Sequence, residues 1–167
     1  MTFRTTKAPE ERALLNPGFC SCLLWHAVVG YTNVTGVSMP FEVAFVILAL
    51  VLHRQTRQLL PRTVATSLVV WLDANPLLRV RIAHRAQALS PFTKDALMFG
   101  GIYGLFRFDT KEGTMVAHNG FRGRMAAHAR GSSEEVQACL SKAAFVGKWL
   151  ARAGSTATVL ALMGVKP

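Results

Sequence analysis

The chain has 167 residues, of which 51% are apolar and 17% are charged. This length and composition exclude a disordered chain and are typical of one domain with a substantial core. Nineteen Lys and Arg against nine Asp and Glu give a net charge of +10, and thirteen of the cations are Arg. Because Arg suits contacts to phosphate and carboxylate groups, the charge predicts nucleic acid or an acidic protein as partner; colloidal stability is the plainer alternative.

The three cysteines, Cys20, Cys22 and Cys139, lack the even number and spacing of a disulfide framework. This pattern favours a reducing compartment. Residues 1–15 contain no apolar segment of the kind that a signal peptide needs, and no apolar run is long enough to span a bilayer. We therefore predict a cytoplasmic protein without membrane contact. Residues 1–15 are predicted to form a flexible N-terminal arm, and residues 16–167 a single helical domain.

The first predicted helix begins at Asn16-Pro17, an N-cap residue followed by a proline. It ends where the stretch Gly30–Gly36 predicts a loop. Ten consecutive apolar residues, Val43–Leu52, are too few for a bilayer span and predict a buried central helix. Residues 55–60 are predicted to continue this helix briefly before Pro61 ends it.

Residues 63–118 are predicted to form a winged-helix-like unit. An apolar stripe from Val64 to Leu72 indicates a helix that ends before Asn75-Pro76. Pro76 opens a second helix to Leu89, and Ser90-Pro91 is interpreted as the start of a third helix that runs to about Gly104. Residues 105–108 and 114–116 flank a turn and predict a β-hairpin.

The C-terminal part is predicted to be helical over residues 132–164. It follows a glycine-rich basic loop at residues 119–131, and Ser132 with Glu135 forms a capping box for the long helix. Ser155 caps the last helix and Gly164 ends it. The predicted fold is therefore mainly α, a compact helical domain with a small β-hairpin.

Little in the sequence indicates catalysis. Nine acidic residues are few for acid–base chemistry, and the chain contains no phosphate-binding loop, nucleophile elbow or metalloprotease motif. Cys20, Cys22 and His26 resemble part of a metal site, but a second Cys/His pair at zinc spacing is missing, so buried thiols and a core histidine are favoured. We predict no catalytic, cofactor-binding or metal-binding residue, and a protein that is not an enzyme.

Three groups of basic residues remain as candidate contact sites. The groups are His53, Arg54, Arg57 and Arg62; Arg79, Arg81, His84 and Arg85; and Arg122, Arg124 and Arg130. The middle group precedes the predicted hairpin, an arrangement typical of proteins that read DNA. A protein interface and a merely solvated face are the alternatives that the residues leave open.

Several short phrases, taken together and in order, resemble a known family. They are NPGF at 16–19, MPF at 39–41, LHRQTR at 52–57, LPR at 60–62, LDANP at 72–76, KWLARAGS at 148–155 and ALMGVKP at 161–167. In these phrases the chain is similar to the small middle component of bacterial three-component ABC ATPase systems, such as Lamassu-type anti-phage defence operons. Residues 109–131 contain no such phrase.

The resemblance implies a non-catalytic adaptor that bridges a dimeric SMC/Rad50-like ABC ATPase and a toxic effector, such as a nuclease. For the protein interface we predict Arg54, Arg57, Arg62, Val159, Leu160 and Met163. For nucleic-acid contact within the complex we predict Arg79, Arg81, Arg85, Arg107, Lys111, Arg122 and Arg124. The alternative function is a stand-alone winged-helix DNA-binding regulator.

Overall fold

The computed structural model of the chain describes residues 13–166. Its helices are α1 (Pro17–Thr35), α2 (Val43–Val51), α3 (Arg54–Leu59), α4 (Leu68–Ala74), α5 (Pro76–Ile102), α6 (Arg122–Gly131), α7 (Glu134–Leu150) and α8 (Thr156–Met163). Its strands are β1 (Met39–Pro40), β2 (Phe106–Asp109) and β3 (Thr114–Ala117), and a short 3-10 helix spans Asn119–Phe121. The prediction of a mainly α fold with a small β element is confirmed. Of the predicted arm, only residues 13–15 fall among the described residues.

Helix α1 begins as predicted but runs further. The Asn16 side chain accepts hydrogen bonds from the amides of Gly18 and Phe19, and Gly36, at φ 70°, follows the last turn. The predicted loop from Gly30 is wrong, because α1 passes through that glycine. A Cβ at Gly30 would lie 2.3 Å from the carbonyl oxygen of Ala144 in α7, so the glycine permits close helix packing rather than a turn.

The contact between α1 and α7 is reciprocal. A Cβ at Gly147 of α7 would lie 2.0 Å from the carbonyl oxygen of Ala27 in α1. Each helix therefore presents a glycine to the backbone of the other, about one helical turn from the second glycine contact. The two backbones approach more closely than any pair of larger residues would permit.

Helix α2 is the predicted central helix, and its burial is confirmed. Every residue of α2 except Phe45 is buried, and α2 packs against α1, α5, α7 and α8. The helix then ends at Leu52–His53, where the ring of His53 accepts a hydrogen bond from the amide of Thr56 and caps α3. The residues predicted to continue the central helix therefore form a separate short helix. None of the described helices is both long and apolar enough to cross a membrane.

Helix α5 is one continuous helix of 27 residues with Pro91 inside it. The predicted helix start at Ser90-Pro91 is therefore wrong. Proline removes one intrahelical hydrogen bond, to the carbonyl four residues earlier. That carbonyl belongs to the exposed Gln87, and Pro91 is itself exposed, so the lost bond lies on the outer side of the helix. Residues 63–118 thus contain two helices, α4 and α5, rather than the three on which the winged-helix prediction was based.

The predicted hairpin is confirmed and gains a third strand. Strands β2 and β3 pair antiparallel, and β1 pairs antiparallel with the other edge of β3, which gives the order β1-β3-β2. The ring of Phe106 lies against Gly100 of α5, where a Cβ would be only 2.2 Å from a ring carbon. The sheet is thereby fixed to the C-terminal part of α5.

The segment predicted as a basic loop, residues 119–131, is instead the 3-10 helix followed by α6. The cap of α7 is Ser133, whose hydroxyl accepts from the amide of Val136, so the predicted capping box at Ser132 is off by one residue. Ser155 caps α8 and Gly164, at φ 70°, ends it, as predicted.

Candidate interaction surfaces

Of the three arginines predicted for a protein interface, two are exposed. Arg54 opens α3 and Arg62 follows it, both in solvent, whereas Arg57 is 4% exposed. The guanidinium of Arg57 donates to the carbonyl of Val51 at 2.6 Å and pairs with the carboxylate of Glu135 in α7. Arg57 therefore ties the corner between α2 and α3 to the first turn of α7.

The apolar tail residues predicted for the same interface lie in the core. Val159, Leu160 and Met163 are all buried and line the inner face of α8. Helix α8 packs with this face against α2 and α5. In the folded chain these three side chains are taken up by core packing.

The residues predicted for nucleic-acid contact lie in three places. Arg79, Arg81 and Arg85 belong to α5, where Arg81 is exposed and Arg79 donates to the carbonyl of Ala161 at 3.3 Å. Arg107 and Lys111 are exposed on the hairpin. Arg122 and Arg124 are exposed on α6, where Arg122 donates to Asn119 and Arg124 lies 5.3 Å from the ring centre of Phe121.

The structure joins two basic groups that are separate in the sequence. The guanidinium of Arg85 donates to the carbonyl of Ala49 at 2.8 Å and to the hydroxyl of Thr56 at 3.1 Å. The same hydroxyl lies 3.0 Å from Nδ1 of His53. Burial, followed by the charges of Arg85, Arg81 and Arg57, lowers the pKa of His53. These four side chains therefore form one cationic cluster where α3 meets α5.

Helix α6 projects from the rest of the fold. Only Met125 is buried and only Ala129 is half-buried, while the other residues of the helix are exposed. Three of the exposed residues are arginines, and α6 contains no acidic residue. Helix α6 packs against α7 and against the 3-10 helix that precedes it. The result is a strongly basic helical surface held by a small apolar contact.

Large exposed apolar side chains lie at the two ends of α5. Leu77 and Val80 are 71% and 58% exposed near its start, and Met98 and Ile102 are 64% and 76% exposed near its end. At 100° per residue these four positions fall within about 60° of one another around the helix, so they share one face. Sequence reasoning missed this face because it divided the helix at Pro91.

Aromatic rings at the end of α5 and on β2 extend the second of these apolar regions. The ring of Phe108 lies close to Gly101, one residue before Ile102, and the rings of Phe99 and Tyr103 lie 4.3 Å apart. Tyr103 and Phe108 are both exposed. An apolar surface therefore runs from the last turns of α5 onto β2.

Residues 13–166 show little that would support catalysis. No three His, Cys, Asp or Glu side chains converge in this part of the chain. Burial, with a smaller effect of Cys22, raises the pKa of Cys20 to about 12, and burial also raises the pKa of Cys22 and Cys139. These thiols stay protonated near neutral pH, which makes them poor nucleophiles and poor metal ligands.

A groove of about 670 Å³ lies between α2, α5 and α8. Its floor contains Phe41, Phe45 and Leu160, and its rim contains His84 and Lys94. The groove is mostly apolar, and its ionisable lining residues are Glu42, His84, Lys94 and Lys166.

Comparison with known proteins gives one match. The family model for the ABC-three component (ABC-3C) system Middle Component 3 matches residues 5–167. No curated protein and no solved structure matches the chain.

Proposed function

Since the chain belongs to the family of ABC-three component system middle component 3, we propose that it is a non-catalytic adaptor that bridges two proteins of that system. One partner is an SMC/Rad50-like ABC ATPase, as a dimer, and the other is a toxic effector, such as a nuclease. The setting would be a cytoplasmic bacterial defence complex of the Lamassu type, in which the adaptor helps to keep the effector silent until the ATPase detects foreign DNA.

The observation that carries the proposal is the pair of apolar regions on α5. At 1.5 Å per residue, Leu77 and Val80 lie about 30 Å from Met98 and Ile102 on one continuous helix. The face between them contains the polar side chains of His84 and Asp95 and also Pro91, all of them exposed. Exposed apolar side chains surrounded by polar ones are typical of protein interfaces. Two such regions at this separation give two proteins room to bind side by side.

The test is co-purification of tagged variants from a host that expresses the neighbouring genes. Leu77→Glu with Val80→Glu changes one end, and Met98→Glu with Ile102→Glu changes the other. We expect each pair to lose a different partner and to keep the second one. Gln87→Glu with Ala88→Glu adds the same charge to the exposed middle of α5 and should keep both partners. The bridging proposal is wrong if both end variants keep both partners, or if both lose the same one.

Among the originally predicted interface residues, Arg54 and Arg62 are retained as side chains that a partner can touch. Arg57, Val159, Leu160 and Met163 are buried and are not proposed as contact residues. Arg54→Glu with Arg62→Glu is expected to weaken complex formation, and an unchanged yield of complex would remove α3 from the proposed interface.

A DNA-binding regulator remains the second candidate, and the basic surface of α6 favours it. Such a protein would bind DNA alone, with an affinity that falls steeply as salt is raised. Arg122→Gln with Arg124→Gln should then weaken DNA binding, while the end variants of α5 leave it unchanged. Recovery of a nuclease-resistant complex with the ATPase would favour the adaptor instead.

A further inference from the structure

Arg81 and Arg85 of α5 and His53 before α3 lie together at the surface, and the proposed bridging function makes no use of them. Arg85 and His53 both contact the hydroxyl of Thr56, at 3.1 Å and 3.0 Å. Arg81 precedes Arg85 by four residues, so the two side chains lie one above the other on the same face of the helix. Arg81 is exposed and Arg85 is half-buried, so the group opens to solvent.

The hydrogen bonds of His53 fix which ring nitrogen carries the proton. Its Nδ1 accepts from the backbone amide of Thr56 at 3.3 Å, as the cap of α3. A nitrogen that accepts a hydrogen bond carries no proton, so in the neutral ring the proton is on Nε2. The neutral form is favoured, because burial and the surrounding arginines lower the pKa of His53. Its Nε2–H is therefore left over as a donor.

Within residues 13–166, no acidic side chain forms an ion pair with this group. In the part of the chain that the structure describes, the one ion pair joins Arg57 to Glu135, and neither Arg81 nor Arg85 is paired with a carboxylate. Two like charges at this spacing on a helix repel each other. The repulsion is consistent with the lowered pKa of Arg85, to which burial contributes most and Arg81 adds. A bound anion would remove the repulsion.

We propose that Arg81, Arg85 and His53 form a binding site for a phosphate group. Nη1 of Arg85 is engaged by Ala49 and Thr56. Among the described residues, its remaining N–H groups, the guanidinium of Arg81 and Nε2–H of His53 are open donors. The two oxygens of one carboxylate, paired in a plane, cannot accept from all of these donors. A phosphate presents three or four oxygens in a tetrahedron and carries more negative charge, so it suits the group better. A nucleic-acid strand and a free nucleotide supply the same chemistry to a site that opens to solvent.

The experiment titrates the full chain with four probes by calorimetry. The probes are inorganic phosphate, a nucleoside monophosphate, a short single-stranded oligonucleotide and a glutamate-rich peptide. Arg81→Gln removes one guanidinium at an exposed position, and we expect about tenfold weaker phosphate binding, the usual effect of losing a charge-assisted hydrogen bond. His53→Asn keeps a side-chain oxygen that can cap α3 but removes the Nε2–H, so we expect a smaller loss. Arg152→Gln, at an exposed position just after α7 and outside every predicted contact group, is the matched control and should bind as the unaltered chain does.

The outcomes separate the sources of the phosphate. Binding of phosphate or monophosphate that depends on Arg81 identifies a small phosphate compound. Binding of the oligonucleotide alone, weakened by Arg81→Gln and not by Arg152→Gln, identifies a nucleic-acid backbone. The proposal is overturned if no phosphate compound binds, if only the peptide binds, or if both arginine variants weaken binding equally. Thermal unfolding of each variant checks that it is folded.

The proposed phosphate site and the proposed bridging function can be disproved independently of each other. Arg81→Gln is expected to keep both partners in the co-purification experiment, since it leaves the apolar ends of α5 intact. Loss of phosphate binding with an intact complex therefore concerns the site, and loss of a partner with normal phosphate binding concerns the bridge.

Discussion

Helices α6 and α7 follow each other in the chain with only Ser132 and Ser133 between them, yet they are held in opposite ways. Helix α7 packs along α1 with backbone against backbone at Gly30 and Gly147. Helix α6 has one buried residue and faces solvent with the rest. The comparison shows that close backbone packing fixes α7 in the core. The exposed side chains of α6, by contrast, remain available for contact with a partner.

The largest expected effect comes from adding a side-chain atom at the close contact between α1 and α7. In Gly147→Ala the new Cβ would meet the backbone of Ala27, which is not free to move aside. We expect unfolding to require about 3 kcal/mol less free energy, measured by chemical denaturation. Gly123→Ala on α6 is the control, because a Cβ there meets nothing within 4 Å. It should raise stability by about 0.5 kcal/mol or more through helix propensity. Similar losses in both variants would contradict the comparison.

The next effect concerns the attachment of α6. Met125→Ala removes the one buried side chain of this helix, at a local cost of about 2 kcal/mol. Because α6 has few other contacts, we expect it to open on its own: amide hydrogen exchange should accelerate in α6 and stay slow in α7. Ala127→Ser, at an exposed position of α6, should accelerate exchange in α6 only slightly, through its lower helix propensity, and leave α7 unchanged. Equal acceleration in α6 and α7 would mean that the two helices unfold as one unit.

A smaller effect should follow from removing the Arg57 side chain, which links the corner between α2 and α3 to the first turn of α7. Arg57→Met loses the hydrogen bond to Val51 and the pairing with Glu135, and we expect a loss of about 1–2 kcal/mol in the free energy of unfolding. Glu135 is half-exposed, so Glu135→Gln should cost less than about 0.5 kcal/mol. Denaturation of both variants tests the assignment, and a Glu135→Gln effect as large as that of Arg57→Met would show that the ion pair dominates.

The smallest expected effect is a dependence of stability on pH. His26 of α1 lines a cavity of about 340 Å³ between α6 and α7, together with Arg130 and Ser141. Burial, followed by the charge of His128 in α6, lowers the pKa of His26 below 6.5. The folded chain therefore favours the neutral ring. Its contribution to stability is complete above pH 6.5 and is lost as pH falls through the lowered pKa.

Denaturation curves on both sides of pH 6.5 measure this dependence. His26→Gln should flatten it in part, and His53, whose pKa is also lowered, supplies a further share. His128→Gln should flatten it less, because burial is the larger cause at His26. An unchanged pH dependence in His26→Gln would show that its titration is not coupled to folding.

Local signals in the sequence were sufficient wherever neighbouring residues decide the structure. The caps at Asn16, Ser155 and Gly164 and the hairpin from Phe106 to Ala117 all depend on residues a few positions apart, and all are present. The predictions at Gly30 and Ser90-Pro91 were wrong because they used neighbouring residues alone. Gly30 contacts a helix far along the chain, and Pro91 lies on the solvent-facing side of α5. Gly30 lies inside a helix, and it is a glycine because the backbone of Ala144, far along the chain, occupies the space that a side chain would need.

The candidate sites show the same limit. Each basic group was visible in the sequence, but the hydrogen bond from Arg85 to Thr56 joins residues 29 positions apart, and a single sequence carries no sign of it. Burial was equally invisible in the sequence. Arg57 and Met163 are residue types that often contact partners, yet both side chains are buried in this fold. The apolar face of α5 became visible only when the helix proved continuous.

The unbroken course of α5 also has a mechanical consequence. A hinge in the middle of a helix absorbs motion, so that one end can tilt while the other stays at rest. The 27 residues of α5 contain no such break, and Pro91 removes a hydrogen bond only from the outer side. We therefore expect a displacement of the helix end at Leu77 to be passed on to Ile102 and to the sheet fixed beside it, rather than absorbed within the helix.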